Sequence, residues 1–164
     1  MSSPARTFSK INKLVLSELK PHKKHKIWQE TCGSVPKSLG LLICSDSEIR
    51  EYNKSYRKLD KATDVLSFPS LELAQGNDHN VVDSYMGDMV ISLETVQRAA
   101  KRHRRAVDDE LVEVFVHGVL HLLGFDHVKV KKADAQEMRN VQRILFKKAK
   151  KLITMGHGRI VKES

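Results

Sequence analysis

The sequence predicts a single α+β or α/β domain built on a small sheet, and three observations carry that reading. The chain has 164 residues, the length of one domain, and a chain of that size can bury an apolar core without disulfide or metal staples. Hydrophobic residues make up 40% and charged residues 30%, the composition of a soluble globular protein. Segments of helical and of strand period interleave unevenly along the chain. The domain is expected to span residues 1–164, with a basic C-terminal helix and tail from about residue 134.

The elements follow in order. Phe8, Ile11, Leu14, Val15 and Leu19 recur at helical steps, and Pro21 ends that helix. Leu39 to Cys44 is a short apolar run and reads as a buried strand. Ser45-Asp46-Ser47-Glu48 matches a capping box that opens an amphipathic helix through Ile49 and Tyr52. Thr63 to Pro69 alternates and stops at proline, which predicts a strand. Residues 71–84 are polar and turn-rich around Gly76-Asn77-Asp78-His79-Asn80, a connecting loop or hairpin. Met86 to Ser92 reads as a further strand, and Ser92 to His103 as a helix with Leu93, Val96, Ala99 and Ala100 on one side. Asp108 is placed to cap a long apolar helix that runs to about Leu123 and is stopped by Gly124. Asp134 starts a last helix, with Met138, Val141, Leu145 and Leu152 on its buried stripe.

Several classes of protein are set aside. No apolar run approaches the roughly 18–20 residues of a membrane span. Lys10 and Lys13 interrupt any signal-peptide core after the N-terminus. The two cysteines, Cys32 and Cys44, lack Cys-x-x-Cys spacing, which argues against a disulfide framework and for a reducing compartment.

Histidine is the unusual count, at 8. His117 and His121 stand four apart on the predicted long helix, so their side chains share a face at roughly 5–6 Å. Two imidazole nitrogens so placed can reach one cation at about 2.0–2.1 Å each. Gly124 can take the left-handed turn that ends the helix and brings His127 back to the same point. The pattern His-x-x-x-His-x-x-Gly-x-x-His gives three ligands and leaves a fourth position for water. Its chance occurrence in a chain with 8 His and 8 Gly is on the order of one in a thousand. A structural metal would ordinarily take four protein ligands, with cysteine preferred; Asp126 or a distant residue could supply the fourth. His22, His25, His79, His103 and His157 sit in polar stretches and read as solvated.

The spacing matches that of metzincin proteases, but those carry Glu after the first His as general base. Gly118 stands there, so peptide hydrolysis is not supported.

Three blocks together resemble the YbeY family of bacterial rRNA-maturation endoribonucleases. Tyr56 to Pro69 resembles its Tyr-Arg…Thr-Asp-Val-Leu-Ser-Phe-Pro segment, Gly87 to Ser92 its Gly-Asp-Ile-x-Ile-Ser segment, and His117 to His127 its His-Gly-x-Leu-His-Leu-x-Gly-Tyr-Asp-His signature. Phe125 replaces the usual Tyr, and nothing before Leu39 matches a block. The resemblance implies an α+β domain with a four-stranded sheet and one zinc held by His117, His121 and His127 at the end of a central helix. It implies a cytoplasmic, metal-dependent, single-strand-specific endoribonuclease that trims the 3′ end of small-subunit rRNA and serves ribosome quality control. Its partners would be an rRNA precursor and the ribosome or small subunit, with no membrane and no DNA.

Arg57 matches the family's arginine and is the expected catalytic residue. A guanidinium there can stabilise charge that builds on a phosphodiester as it reacts. Asp64 and Asp88 fit two roles equally: orienting metal ligands or water, or making local turn and strand-end hydrogen bonds. Glu110 and Glu113 precede His117 on the same helix; Glu113, four residues away, fits either contact with the site or a solvated salt bridge. No general base is assigned. Two other functions compete: a non-catalytic RNA- or ribosome-binding factor with a structural zinc, and a zinc hydrolase of another substrate class.

The net charge of +9 is unevenly spread. Residues 1–40 hold 8 basic and 2 acidic side chains, residues 41–97 hold 5 and 10, residues 98–127 hold 5 and 5, and residues 128–164 hold 11 and 3. The ends therefore carry the positive charge. Lys23-Lys24-His25-Lys26 and Lys147-Lys148-Ala149-Lys150-Lys151 are either grips for an RNA backbone or solvated surface.

Overall fold

The computed structural model describes residues 4–19, 38–70, 85–123, 132–155 and Ile160. They form helix α1 (Pro4–Leu19), strand β1 (Ser38–Cys44), α2 (Asp46–Arg57), β2 (Val65–Pro69), β3 (Tyr85–Ser92), α3 (Leu93–His103), α4 (Val107–Leu122) and α5 (Lys132–Met155). This is an α+β fold. The strand order is β1-β3-β2. β1 runs parallel to β3, while β2 runs antiparallel to it, so the central Ile91 faces Ile43 on one side and Val65 on the other. The described residues supply three strands, where the family resemblance predicts four. The loop expected over residues 71–84 lies outside the described residues.

The pleat sends alternate residues of β2 to opposite faces. Val65 packs toward α4, and Ser67 Oγ donates to the Gly118 carbonyl at 3.1 Å. Leu66 points the other way, into a small cluster with Cys44, Ile49 and Val90 beneath α2. α2 thus covers one face of the sheet, and α4 the other, with α1 and α5 packed beyond it. Ten of the 16 residues of α4 are buried, including Leu111, Phe115, Val119 and Leu122. A helix that is apolar nearly all round must be enclosed, and α4 is the central element of the core.

Local signals explain most boundaries. Ser45 caps α2 by accepting from the Glu48 amide at 3.3 Å, and Glu48 Oε2 accepts from the Ser45 amide at 2.8 Å. Ser92 caps α3 by accepting from the Thr95 amide at 3.2 Å. Its hydroxyl also donates to Asp46 Oδ1 at 2.5 Å, and Thr95 Oγ1 to the same oxygen at 2.6 Å, while Arg98 Nη1 lies 2.6 Å from Asp46 Oδ2. The Arg98 guanidinium, joined by the two hydroxyls, holds the Asp46 carboxyl at about 2. Gly87, at φ +124°, pairs with Pro69; a Cβ there would sit 2.1 Å from the Phe68 carbonyl oxygen.

Some expectations need correction. β1 is not a buried strand: Leu42 and Ile43 are 44% and 38% exposed, because β1 is an edge of the sheet that the described residues form. Asp108 is not the cap of α4. That position is Ala106, with no side-chain cap bond, and Asp108 Oδ2 accepts instead from the Ile160 amide at 2.9 Å. Asp108, Asp109 and Glu110 still place negative charge at the positive end of the helix dipole. β2 begins at Val65 rather than Thr63, since Asp64 Oδ1 accepts from the Val65 amide at 2.8 Å in a local turn. α1 starts four residues ahead of Phe8, and α5 two ahead of Asp134.

Candidate metal centre

Along α4, the residues between Leu111 and His121 that are not fully buried are Glu113, His117 and His121. They form one ladder at four-residue spacing, the face the helix leaves open to solvent. At its C-terminal end the Nε2 atoms of His117 and His121 lie 3.0 Å apart. The rings meet edge to face, with centroids 4.5 Å apart and an interplanar angle of 83°.

The outer side of His117 is fixed from another helix. Its Nδ1 lies 3.0 Å from Oε1 of Gln142 on α5. A carboxamide oxygen only accepts, so Nδ1 is the donor, and in the neutral imidazole Nε2 keeps its lone pair, aimed at His121. A nitrogen lone pair facing a second imidazole nitrogen at that distance calls for a proton or a cation between them. The donor set fits zinc: two imidazoles converge, and one of them is oriented by an outer hydrogen bond, as metal-bound histidines usually are. Gln142 was not singled out by sequence reasoning. Its signal was a polar side chain flanking the Val141, Leu145, Ala149 stripe of α5.

The third expected ligand, His127, and its neighbour Asp126 lie outside the described residues, as do Gly124 and Phe125. Among the described residues, no third His, Cys, Asp or Glu joins the pair. His22, His25, His79, His157 and Cys32 also lie outside them, while Cys44 is buried and free.

Gly118 faces the sheet rather than the open ladder. A Cβ at this position would lie 2.7 Å from Met89 Cε and 3.2 Å from Val65 Cγ2. The protease general base would project from here into the core, so its absence has a packing cause as well as a chemical consequence.

The two glutamates of α4 are engaged elsewhere. Arg105 pairs through Nε with Glu110 and through Nη1 with Glu113, and its guanidinium lies 5.8 Å from the centroid of the Phe146 ring. His103 Nδ1 is 3.0 Å from Glu110 Oε2, so this histidine is hydrogen-bonded to a carboxylate rather than merely solvated. Burial pushes the Glu110 carboxyl up, but the hydrogen bonds from Arg105 and His103 outweigh it and hold the group below the usual range. Glu113 therefore takes the salt-bridge role, and the Glu110 bridge is buried, with 7% of its side chain exposed.

Arg57 ends α2 and is exposed. Its neighbour Tyr56 packs edge-on against Phe68 of β2, with centroids 4.9 Å apart. α2 and α4 thus flank strand β2 from opposite faces, and no described contact joins Arg57 to the histidine pair. Asp64 makes local bonds, to the Val65 amide and, at 3.2 Å, from Thr63 Oγ1. Asp88 accepts from the Tyr85 hydroxyl three residues away. No described helix is long and apolar enough to cross a membrane.

Fold and site together define a class: a small α+β protein with a histidine pair of metal-ligand type at the end of its central helix. Comparison with known proteins places it within that class. The profile of the family described as Endoribonuclease YbeY matches residues 3–150, and the chain belongs to that family. By its family it is an enzyme, a hydrolase acting on RNA. A relative from Nautilia profundicola named Endoribonuclease YbeY is 42% identical over 112 residues, covering 68% of this chain and 72% of its own. One from Aquifex aeolicus is 43% identical, covering 70% of this chain and 78% of its own. The match to a third, from Myxococcus xanthus, is 42% identical over 66% of this chain but spans 35% of that longer protein. The solution structure of TM1509 from Thermotoga maritima superposes with a TM-score of 0.52 at 25% identity, covering 92% of each chain.

Proposed function

We propose that this chain is a zinc-dependent, single-strand-specific endoribonuclease that matures the 3′ end of small-subunit rRNA and takes part in ribosome quality control in the cytoplasm. The observation that carries the zinc reading is the 3.0 Å approach of the His117 and His121 Nε2 atoms, with His117 oriented by Gln142. His117, His121 and His127 would hold the metal. Bound zinc supplies a water of lowered pKa and a Lewis acid for a phosphate oxygen. The relatives' printed name supports RNA as substrate, and the ribosome or small subunit is the partner this role requires.

The protein's own groups have distinct tasks. Gln142 holds the proton of His117 on Nδ1. Ser67 ties β2 to the helical turn between the two histidines through the Gly118 carbonyl. Arg57 is the group proposed to stabilise negative charge on the reacting phosphate.

Replacing His121 with Ala tests the reading. The variant should retain its fold but lose both bound zinc, by elemental analysis, and cleavage of an rRNA precursor. Equal cleavage by native protein stripped of metal would overturn the metal mechanism. The competing factor with a purely structural zinc predicts no cleavage by native protein and unfolding on chelation. A zinc peptidase is opposed by the inward-facing Gly118.

A further inference from the structure

Helix α5 carries four cations at four-residue intervals: Arg139, Arg143, Lys147 and Lys151. All four are exposed. Four helical residues rise about 6 Å and turn about 40° beyond one revolution, so the cations form a slowly winding stripe about 18 Å long. Two other lysines of the same run are withdrawn from it. Lys148 pairs with Glu18 of α1, and Lys150 with Asp109 of α4. These ion pairs clamp α5 on either flank. Among the described residues, no carboxylate pairs with any of the four stripe cations, and Arg139 bonds a neutral partner, with Nη2 2.9 Å from Gln136 Oε1.

The stripe begins beside the candidate metal centre. Arg139, its first cation, lies three residues before Gln142, which touches His117, and residues three apart are neighbours on a helix surface. We propose that this stripe is a track for the sugar–phosphate backbone of single-stranded RNA leading to or from the histidine pair. This rests on the nuclease reading above and gives it a substrate path. The rise between cations is of the order of the span between successive phosphates on an extended strand. The stripe contains no aromatic side chain, so it offers charge without base stacking. It is a sequence-independent grip whose strength falls with salt, by a log–log slope of about 0.7 per phosphate contact on single strands.

The test uses the full chain and a 2′-O-methyl single-stranded oligonucleotide, which binds without being cut. Its dissociation constant is measured over a series of KCl concentrations. The triple variant R143Q/K147Q/K151Q should flatten the salt slope by about 2, the sum for three lost phosphate contacts. A control, K148Q/K150Q, removes charges already paired and should keep close to the native slope. A native-like slope in the triple variant overturns the track, and so does an equal flattening in the control, which would mean diffuse attraction. Failure of the native protein to bind the oligonucleotide overturns the nuclease reading and the track with it. Thermal melting confirms the fold, and if the triple variant melts early, K147Q alone should flatten the slope by about 0.7.

Discussion

Gln142 Oε1 accepts the Nδ1 proton of His117 at 3.0 Å, and this contact couples two helices that meet 25 residues apart in sequence. It settles a chemical question that the histidine spacing leaves open. Imidazole has two nitrogens, and only the unprotonated one can ligate a cation. By taking the proton on Nδ1, Gln142 presents Nε2 toward His121. The partner is neutral, so it orients the ring without adding negative charge to the site.

Removal of that acceptor should therefore weaken zinc binding while sparing the fold. Gln142→Leu is expected to lower zinc affinity by about 10–100-fold, the usual effect of losing such an outer contact. Competition with a chromophoric chelator measures it. Gln142→Glu keeps an acceptor at the same place and should restore most of the affinity. Native affinity in the Leu variant would show that the contact does not orient the ligand.

Gly118 should resist the residue that a protease would need. In Gly118→Glu a carboxylate enters a space already occupied by Met89, which is fully buried, and by Val65. Overpacking and an unpaired buried charge should together cost more than about 2 kcal/mol. Chemical denaturation reads the loss. A native midpoint would mean that position 118 opens toward solvent.

Arg57→Ala should separate chemistry from binding. Arg57 is exposed at the end of α2 and serves no described ion pair, so stability and zinc content should be unchanged. If its guanidinium meets the reacting phosphate, cleavage should fall by about 10²–10³-fold, as when one transition-state donor is lost. Single-turnover cleavage with saturating protein checks this, and a rate within a few-fold of native removes Arg57 from the chemistry.

What could be read from the sequence was local. The His117–His121 ladder follows from helical period, and the Ser45 capping box from spacing alone, so both were legible. Gln142 was not, because its significance depends on how α5 lies against α4. Glu113 illustrates the same limit: four residues from His117, it had two compatible roles, and Arg105, folded back from the α3–α4 turn, decides between them. Apolar content misled at β1, since Leu42 and Ile43 look like core but lie exposed on an edge of the described sheet. Asp108 looked like a cap because its type favours caps, yet a partner from the chain's far end, Ile160, claims its carboxylate.

Acid should loosen the junction of α2 and α3 through Asp46. Its carboxyl titrates at about 2 in the folded protein, against 3.8 ordinarily, because Arg98, Ser92 and Thr95 all bond the charged form. A depressed folded value means that the contribution is complete above the ordinary value and disappears as pH falls through the folded one. The affected window is therefore roughly pH 4 down to 2. Solvent reaches this partly exposed carboxylate, so its contribution is about 1–2 kcal/mol. Asp46→Asn should remove that amount at neutral pH and flatten the stability profile across the window. Urea denaturation at a series of pH values compares the two proteins. If their stability difference stays constant from neutral pH down to pH 2, the charged form of Asp46 is not what holds the junction.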